Sequence, residues 1–382
     1  MSEARPPLLV VGESLIDIVE RPGHAPAEHV GGSPANVAVG LARLGQPVHL
    51  TTWFGRDPRG RRIRDRLEAD GVVVTAGSDG AERTSTARAR LDATGAADYD
   101  FDLSYDVPDV PLPVRPVHVH VGSISATIEP GAGKVARLVA DLAGGATVSY
   151  DPNARPAIMP GPAASRRTVE GLVARADVVK VSDEDVAWLA PGEDLTGVLR
   201  AWVGLRPALV VLTRGGDGAL ALTAAGDEVA VTAPRVDVVD TVGAGDSFMA
   251  GLLDGLARAG LLGADRRAQL RAVDAGTVRD VLDHAARVAA VTVSRAGANP
   301  PTAAELEALP HWAGGPPRPS PTVCPLVEPC ARCTGHTVHG DPHGRRFLVG
   351  RVRRAAPALR SRGRRPPAPP SRGRRWRSAR SG

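Results

Sequence analysis

The stretch DTVGAGDSFMAGLL, residues 240–253, places a carboxylate just inside an apolar helix and directly behind a loop of small residues. A buried carboxylate is costly unless hydrogen bonds or charges compensate it, so Asp246 needs partners. Residues 243–245 let backbone N–H groups converge at a helix N-terminus, which carries partial positive charge. The pattern predicts an anion hole suited to phosphate, with Asp246 placed to accept a hydrogen bond from a substrate hydroxyl. A tight turn in which Asp246 only caps the helix is an equal alternative.

The surrounding chain alternates short apolar runs with segments of helical spacing from residue 8 to about 312. The runs predicted as strands are 8–12, 48–54, 117–121, 146–151, 177–181 and 208–213. Such alternation is typical of a mostly parallel sheet covered by helices on both faces. One helix can be bounded closely, since Ser33 is a predicted N-cap, Pro34 fits the first turn and Gly45 ends it.

A hairpin interrupts this rhythm. Residues 84–91 and 98–103 each alternate, and Tyr99 and Phe101 share one face of the second run while its aspartates share the other. The pattern predicts a two-stranded hairpin with one apolar face that packs against the protein and one polar face that is exposed to solvent. The hairpin is either a flap over a site or an ordinary sheet edge.

Charge is distributed unevenly along the 382 residues. The net formal charge is +5, but residues 316–382 hold 16 arginines and two acids, so residues 1–315 are mildly acidic at about −9. The N-terminus has no basic-then-apolar leader, and no apolar run is long enough to span a bilayer. We therefore expect a cytoplasmic protein with no membrane partner.

The segment 313–382 is rich in Pro, Arg and Gly, and its composition predicts a disordered tail. It contains all three cysteines, with histidines close by: Cys324, Cys330, Cys333, His336, His339 and His343. The Cys330–Cys333 spacing suits zinc, but no predicted strand or helix supports a metal domain. The tail leaves three further alternatives open, namely a binder of RNA or another polyanion, a segment without function, and a product of a shifted reading frame.

Two familiar nucleotide motifs are excluded. Residues 131–134 (GAGK) resemble part of a P-loop, but Ile128 replaces its first glycine and Val135 its Ser or Thr. Residues 243–245 would need a glycine at 248 for a dinucleotide fingerprint, and Phe248 stands there.

A second glycine loop strengthens the phosphate interpretation. GGSPANVAVGLARLG at 31–45, followed ten residues later by Gly55, resembles together with 240–253 the two diagnostic motifs of the ribokinase-like, phosphofructokinase B-type family of carbohydrate kinases. The resemblance covers roughly residues 8–310 and implies a kinase domain at 1–312. It implies a three-layer α/β sandwich with a mostly parallel central sheet and a small β lid, formed by about 84–105 and part of 17–31.

The resemblance also implies roles for individual residues. Asp246 looks like the catalytic base, and Gly243, Ala244 and Gly245 look like the anion hole. Asp17, in GESLID, resembles a carboxylate that grips sugar hydroxyls, with an exposed loop acid as the alternative. The sugar-side contacts of the first motif match Gly32 and Asn36. The alternative for these loops is a purely structural role, as a short turn followed by a helix cap.

The nucleotide side has a weaker pattern. Residues 212–218 (LTRGGDG) follow a predicted strand, and Thr213, Gly215 and Gly218 resemble the family's ATP loop. A plain β-hairpin turn is the alternative. Asn299, in the loop after the last long helix, is placed near adenine by the same resemblance.

One departure concerns the metal. Many members carry Asn-x-x-Glu near Mg²⁺, where this chain has SDED at 182–185, so Ser182 cannot take the asparagine's role. Asp185 remains a candidate to position Mg²⁺ through water. Lys180, one of only two lysines, is either a mobile charge directed at phosphates or a solvated strand-end residue. The resemblance implies ATP and Mg²⁺, and leaves a monovalent cation such as K⁺ open.

Four segments together look like the fructokinase branch: GGSPANVA, HVGSIS (120–125), SYDPNARP (149–156) and KVSDEDV (180–186). Asn153 and Arg155 follow a strand end, where open α/β sheets bind ligands, and Arg155 either steadies substrate oxygens or forms a surface ion pair. The expected activity is ATP-dependent phosphorylation of fructose. Kinases of 2-keto-3-deoxygluconate share several of these features and are the alternative, with other sugar and nucleoside kinases behind them. We expect sugar and ATP as partners, no nucleic acid, and either a monomer or a homodimer.

Overall fold

The computed structural model describes residues 5–91, 97–108, 110, 112 and 114–309. The predicted tail, its candidate zinc residues and the link at 92–96 between the two hairpin strands lie outside the described residues.

The strands follow the predicted apolar runs closely. In chain order they are β1 (Leu8–Val11), β2 (Leu15–Glu20), β3 (Ala27–Gly31), β4 (Val48–Thr51), β5 (Val73–Val74), β6 (Thr86–Leu91), β7 (Ala97–Asp102), β8 (His118–Gly122), β9 (Thr147–Asp151), β10 (Val178–Ser182), β11 (Leu209–Thr213), β12 (Ala219–Thr223) and β13 (Glu228–Val231). All six predicted strands are confirmed, with ends shifted by a few residues at most.

Helices occupy most of the intervening segments. They are α1 (Ser33–Arg43), α2 (Pro58–Ala69), α3 (Gly131–Leu142), α4 (Pro162–Val173), α5 (Asp183–Leu189), α6 (Leu195–Leu205), α7 (Ala244–Arg258), α8 (Arg267–Arg271), α9 (Ala275–Val293) and α10 (Ala303–Glu307). No helix in the described ranges is long and apolar enough to cross a bilayer.

The large sheet has the order β13-β12-β11-β10-β9-β8-β1-β4-β5. All neighbouring pairs from β11 to β5 are parallel, while β12 and β13 add an antiparallel edge. Because parallel strands end at the same edge, the loops after β1, β8, β9 and β10 meet on one side of the sheet.

Two apolar layers cover this sheet. Leu8 and Val10 of β1 pack with α1, α2, α7 and α9, whereas the alternate residues Leu9 and Val11 pack with α3, α4, α5 and α6. Successive side chains of a strand point to opposite faces, so a strand such as β1, which is buried in apolar layers on both sides, is apolar throughout. The predicted three-layer sandwich is confirmed.

The small sheet has the order β3-β2-β6-β7, with antiparallel outer pairs and a parallel pair at its centre. Tyr99 and Phe101 stack on one face with ring centroids 5.9 Å apart, as the alternation predicts. The face is not buried beneath the hairpin, however, because Tyr99 remains 49% exposed. β7 is an edge strand, and Tyr99 on it is open to solvent.

The start of α1 differs from the prediction. Gly32, not Ser33, is the N-cap, and its φ of +106° belongs to glycine. A Cβ on Gly32 would also lie 2.5 Å from the backbone oxygen of Glu13. Ser33 is the first helical residue, and its hydroxyl is used elsewhere. The predicted stop is confirmed, because Gly45 follows the C-cap of α1.

Candidate active site

The N-termini of α1 and α7 meet at one carboxylate. Ser33 Oγ donates a hydrogen bond to Asp246 Oδ1 at 2.6 Å, and Asn36 Nδ2 donates to Asp246 Oδ2 at 2.8 Å. The helices pack closely, since a Cβ on Gly40 would lie 2.6 Å from the Cβ of Ala250. The two sequence motifs therefore form one site.

This contact explains how a carboxylate is tolerated inside an apolar helix. Asp246 is buried, yet it has two donors and lies in the first turn of α7, where the helix dipole favours negative charge. Gly243 is the N-cap of α7, with no side-chain capping bond. Asp246 therefore acts between helices, and the alternative in which it caps its own helix is wrong.

The loop before α7 is held in place on both sides. Gly243 has φ of +75°, and a Cβ on it would lie 2.6 Å from Ala298. Asp240 accepts hydrogen bonds from Val242 N at 3.0 Å and from Gly297 N at 2.8 Å, which ties the loop to the segment after α9. The first N–H groups of a helix have no acceptor within it, so residues 243–245 present donors at a fixed edge.

A buried cation lies next to this helix start. Lys180 Nζ is 2.8 Å from Asp151 Oδ2, and a Cβ on Gly245 would lie 3.2 Å from the same nitrogen. Burial alone would lower the pKa of Lys180, but Asp151 outweighs it and holds the pKa above its usual value. Lys180 is buried and ion-paired, so the alternative of a solvated strand-end lysine is wrong.

Asp17 lies beside the first glycine loop. A Cβ on Gly31 would be 2.0 Å from Asp17 Oδ2, because β2 and β3 pair at this point. Burial raises the pKa of Asp17 to about 6, although the charges of Arg155 and His29 oppose the rise. Asp17 is therefore partly buried in the site, not an exposed loop acid.

The loop after β9 reaches the same region. Asn153 has a positive φ of +38°, and Arg155 Nη1 donates to Asn153 Oδ1 at 2.6 Å. The charge of Arg155 lowers the pKa of Asp17, which opposes the effect of burial. Arg155 itself is exposed and makes no ion pair in the described part of the chain, which leaves its guanidinium available to a ligand.

Asp185 lies in the first turn of α5. Its Oδ1 accepts from Ala154 N at 3.0 Å, and its charge raises the pKa of Asp151. Ser182 caps α5 by accepting from Asp185 N at 3.0 Å. The substitution of serine for the family's asparagine thus preserves the helix start and the position of the acid.

The predicted ATP loop is a hairpin between β11 and β12 in this structure. Thr213 ends β11, and a single 3-10 turn runs from Gly215 to Asp217 before Gly218 begins the return. Its place at the carboxyl end of β11 suits a nucleotide, but the hairpin alternative also describes it. The roles of Thr213, Gly215 and Gly218 stay predictions.

Asn299 is the one site residue whose side chain is engaged elsewhere. Its Oδ1 accepts from Arg43 Nη1 at 2.6 Å, and Arg43 also donates to Asp70 and to the backbone of Pro300. This cluster lies at the C-terminal end of α1, whereas Ala298 faces Gly243. The adenine contact of Asn299 stays a prediction, and it competes with this bond to Arg43.

Three residues of the site were missed by sequence analysis: Ser33, Asp151 and Glu13. Ser33 has the pattern of a cap, and Asp151 that of an ordinary strand end. Glu13 follows β1 and accepts from Ser125 N at 3.2 Å. Burial raises the pKa of Glu13 to about 7, and hydrogen bonds from Ser123 and Ser125 offset this only in part. Their position in the sequence could have identified Glu13 and Asp151, because both lie at the carboxyl ends of predicted parallel strands, where open α/β sheets bind ligands.

Comparison with known proteins gives the same assignment. The model of the family described as pfkB family carbohydrate kinase matches residues 6–305. Fructokinase of Klebsiella pneumoniae is 35% identical over 261 residues, which cover 66% of this chain and 85% of that protein. The chain belongs to the pfkB family of carbohydrate kinases.

Solved structures agree in fold. A double mutant of the Vibrio cholerae O395 fructokinase, with fructose, ADP and potassium ion bound, aligns with a TM-score of 0.66 at 27% identity, covering 81% of this chain and 99% of that chain. The Xylella fastidiosa fructokinase with bound ATP gives 0.65 at 28% identity, covering 78% and 97%. This chain is a sugar kinase with a ribokinase-like fold.

Proposed function

We propose that this kinase transfers the γ-phosphoryl group of ATP to the 6-hydroxyl of D-fructose, giving fructose 6-phosphate and ADP. The observation that carries the proposal is the position of Asp246. It is held by Ser33 and Asn36 of the sugar-side motif while it projects from the helix whose N-terminus suits phosphate. Asp246 receives the hydroxyl proton as the new phosphorus–oxygen bond forms.

The sugar lies between the two sheets in this proposal. Asp17 accepts hydrogen bonds from sugar hydroxyls, and Gly32 and Asn36 form the wall at the start of α1. Phosphoryl transfer depends mainly on alignment and charge stabilisation, so a fixed hydroxyl is the principal requirement. The small sheet excludes water when it closes, which prevents wasteful ATP hydrolysis. Its role as a lid stays a prediction.

The transferred group lies at the start of α7. The N–H groups of residues 243–245 and the ammonium of Lys180 face the charge that develops on the phosphoryl oxygens. Thr213, Gly215 and Gly218 lie at the neighbouring strand end and are proposed to border the rest of ATP.

The residues present fit Mg²⁺. Asp185 supplies a carboxylate at the carboxyl edge of the sheet, and the hydrogen bond from Ala154 N to its Oδ1 holds that carboxylate in place. Magnesium prefers such oxygens and retains several waters, so Asp185 would hold it through water. When bound, the ion neutralises phosphate charge.

Fructose is supported by the fructokinase relatives, which are 30–35% identical to this chain across five bacterial proteins. One observation favours 2-keto-3-deoxygluconate as a second candidate. Arg155 is exposed, lowers the pKa of Asp17 and is bonded to Asn153 rather than to an acid, so it could bind a sugar carboxylate.

The test is an ATP-consumption screen of the purified chain with fructose, 2-keto-3-deoxygluconate, ribose and nucleosides at equal concentrations. We expect fructose to give the highest kcat/KM. An Arg155→Ala variant separates the two candidates, because it should reduce turnover of the acidic sugar far more than that of fructose. No activity with any of these substrates would refute the proposal.

Further expectations need separate measurements. Mass photometry tests whether the chain forms a homodimer.

Assays in KCl and in tetramethylammonium chloride test whether activity depends on a monovalent cation, since the Vibrio cholerae O395 double mutant has a potassium ion bound. A cytoplasmic location stays a prediction. Salt-sensitive RNA binding that disappears when residues 316–382 are deleted would instead support the polyanion-binding alternative.

A further inference from the structure

A column of buried polar side chains runs down the face of the large sheet that α1 and α7 cover. Thr147 Oγ1 and His118 Nδ1 are 2.8 Å apart, His118 Nε2 and Ser149 Oγ are 2.8 Å apart, and Ser149 Oγ and His120 Nδ1 are 2.9 Å apart. Each of these groups has a neutral partner. The column ends, at the carboxyl edge of the sheet, with Asp151.

Asp151 differs from the groups below it. It is 1% exposed, and its Oδ1 has no hydrogen-bond partner among the described residues. Its one close charge partner is Lys180, with Nζ 2.8 Å from Oδ2. Burial raises the pKa of Asp151 to about 6, against the opposing charge of Lys180. A carboxylate kept in so poor an environment is costly unless its charge is used.

The ammonium is held at a fixed place by this pair. It lies beneath the first turn of α7, where a Cβ on Gly245 would be 3.2 Å away. An ammonium has three donors, so Lys180 can remain paired with Asp151 and still donate to an oxygen at the helix start. Residues around the pair come from three further elements: Gly122 on β8, Asp185 on α5 and Asp246 on α7.

We propose that Asp151 is a positioning residue, which fixes the Lys180 ammonium against the transferred phosphoryl group without touching substrate itself. The inference rests on the proposed phosphoryl transfer at the start of α7. It adds a second buried carboxylate to the site, which acts through a lysine where Asp246 acts on the hydroxyl.

A double-mutant cycle tests the coupling. Asp151→Asn keeps the shape of the side chain and removes its charge, so Lys180 loses its anchor and kcat should fall about 10²-fold with little change in the KM of the sugar. Lys180→Met should lower kcat at least as far. The double variant should match Lys180→Met within about threefold, because Asp151 has no other route to the reaction.

Folding does not obscure the result. Asp151→Asn with Lys180→Met leaves no lone buried charge, so the neutral pair should fold even where a single variant does not. Its kcat is then compared with that of Lys180→Met, and a further drop above tenfold would overturn the proposal. Ser149→Ala, one row down the same strand, is the matched control and should keep its kcat within about twofold.

A binding measurement gives a readout that a merely structural role would not change. ADP with aluminium fluoride and fructose mimics the transferring group, and it should stabilise the wild-type chain against heat more than ADP with fructose does. Asp151→Asn should remove this difference and leave the stabilisation by ADP intact. An unchanged difference would overturn the role of Asp151, whereas a wild-type chain inactive on every sugar would refute the proposed function instead.

Discussion

Ser33 Oγ and Asp246 Oδ1 are joined by a 2.6 Å hydrogen bond across 213 positions of chain. The serine is the first residue of α1, and the aspartate lies in the first turn of α7. The bond is buried, so its energy is not diluted by competing water. It aligns the carboxylate relative to both glycine loops at once.

Replacing Asp246 with alanine should lower kcat roughly 10²- to 10⁴-fold, because the hydroxyl loses its proton acceptor. The fold should survive, since the substitution leaves no buried charge behind and Asn36 is only half-buried, so that its amide can bond to water. The measurements are steady-state kinetics, far-UV circular dichroism and the unfolding midpoint. Asp65→Ala, an exposed acid on α2, is the control. Near-normal turnover would remove Asp246 from its role.

Ser33→Ala removes one of the two donors to Asp246. Hydrogen bonds to charged groups are worth about 1.5–3 kcal/mol, so kcat should fall about tenfold or more through misalignment of the carboxylate. The KM of ATP should change little. Ser165→Ala, which removes a buried hydroxyl on α4 that does not contact Asp246, should leave both constants unchanged. If the two serine variants behave alike, Ser33 does not orient Asp246.

Asn299→Ala should affect stability and not nucleotide binding. The side chain bonds to Arg43, so its loss should lower the free energy of unfolding by about 1–2 kcal/mol. Chemical denaturation and the KM of ATP are the two measurements. A severalfold rise in the KM of ATP without loss of stability would instead support a contact between Asn299 and adenine.

Glu13 should make stability depend on pH. Its pKa is raised from 4.5 to about 7 in the folded chain, so the folded state keeps a proton that the unfolded state releases. Stability from this group is therefore present below about pH 4.5 and is lost as pH rises towards 7, by up to about 1.4 kcal/mol per pH unit.

Glu13→Gln should flatten this decline when urea unfolding is measured from pH 5 to 8. Glu307→Gln, an exposed acid on α10, serves as the control and should follow the wild-type curve. Parallel curves for the wild type and Glu13→Gln would show that the carboxyl does not titrate in this window.

The fold was largely predictable from the sequence because several of its central strands are apolar on both faces. Runs such as LLVV in β1 satisfy two cores at once, and helical segments between them leave few other arrangements. The hairpin of β6 and β7 followed from strict alternation, whereas the rest of the small sheet was implied by the family resemblance. The exposure of Tyr99 did not follow, since local pattern cannot tell which edge of a sheet will lack a covering layer.

The site was predictable in its glycine loops and less so in its contacts. Ser33 before Pro34 has the sequence pattern of a helix cap, and only the fold shows that the hydroxyl reaches a helix far along the chain. Asn299 was placed correctly within its loop, but its side chain took a partner that loop position does not specify. Asp151 was overlooked because acidic residues are common at strand ends, and the sequence does not show that this one is buried.

The contact between Gly40 and Ala250 has a consequence of its own. These residues carry no chemistry, yet the absence of a side chain at Gly40 sets the interval between two helix axes, and that interval determines where hydroxyl and phosphate stand relative to each other. A methyl group added at Gly40 would push α1 and α7 apart, and the N-termini of both helices would shift with them. The close packing of Gly40 against Ala250 thus sets the distance between the N-termini of α1 and α7, which carry the two glycine loops.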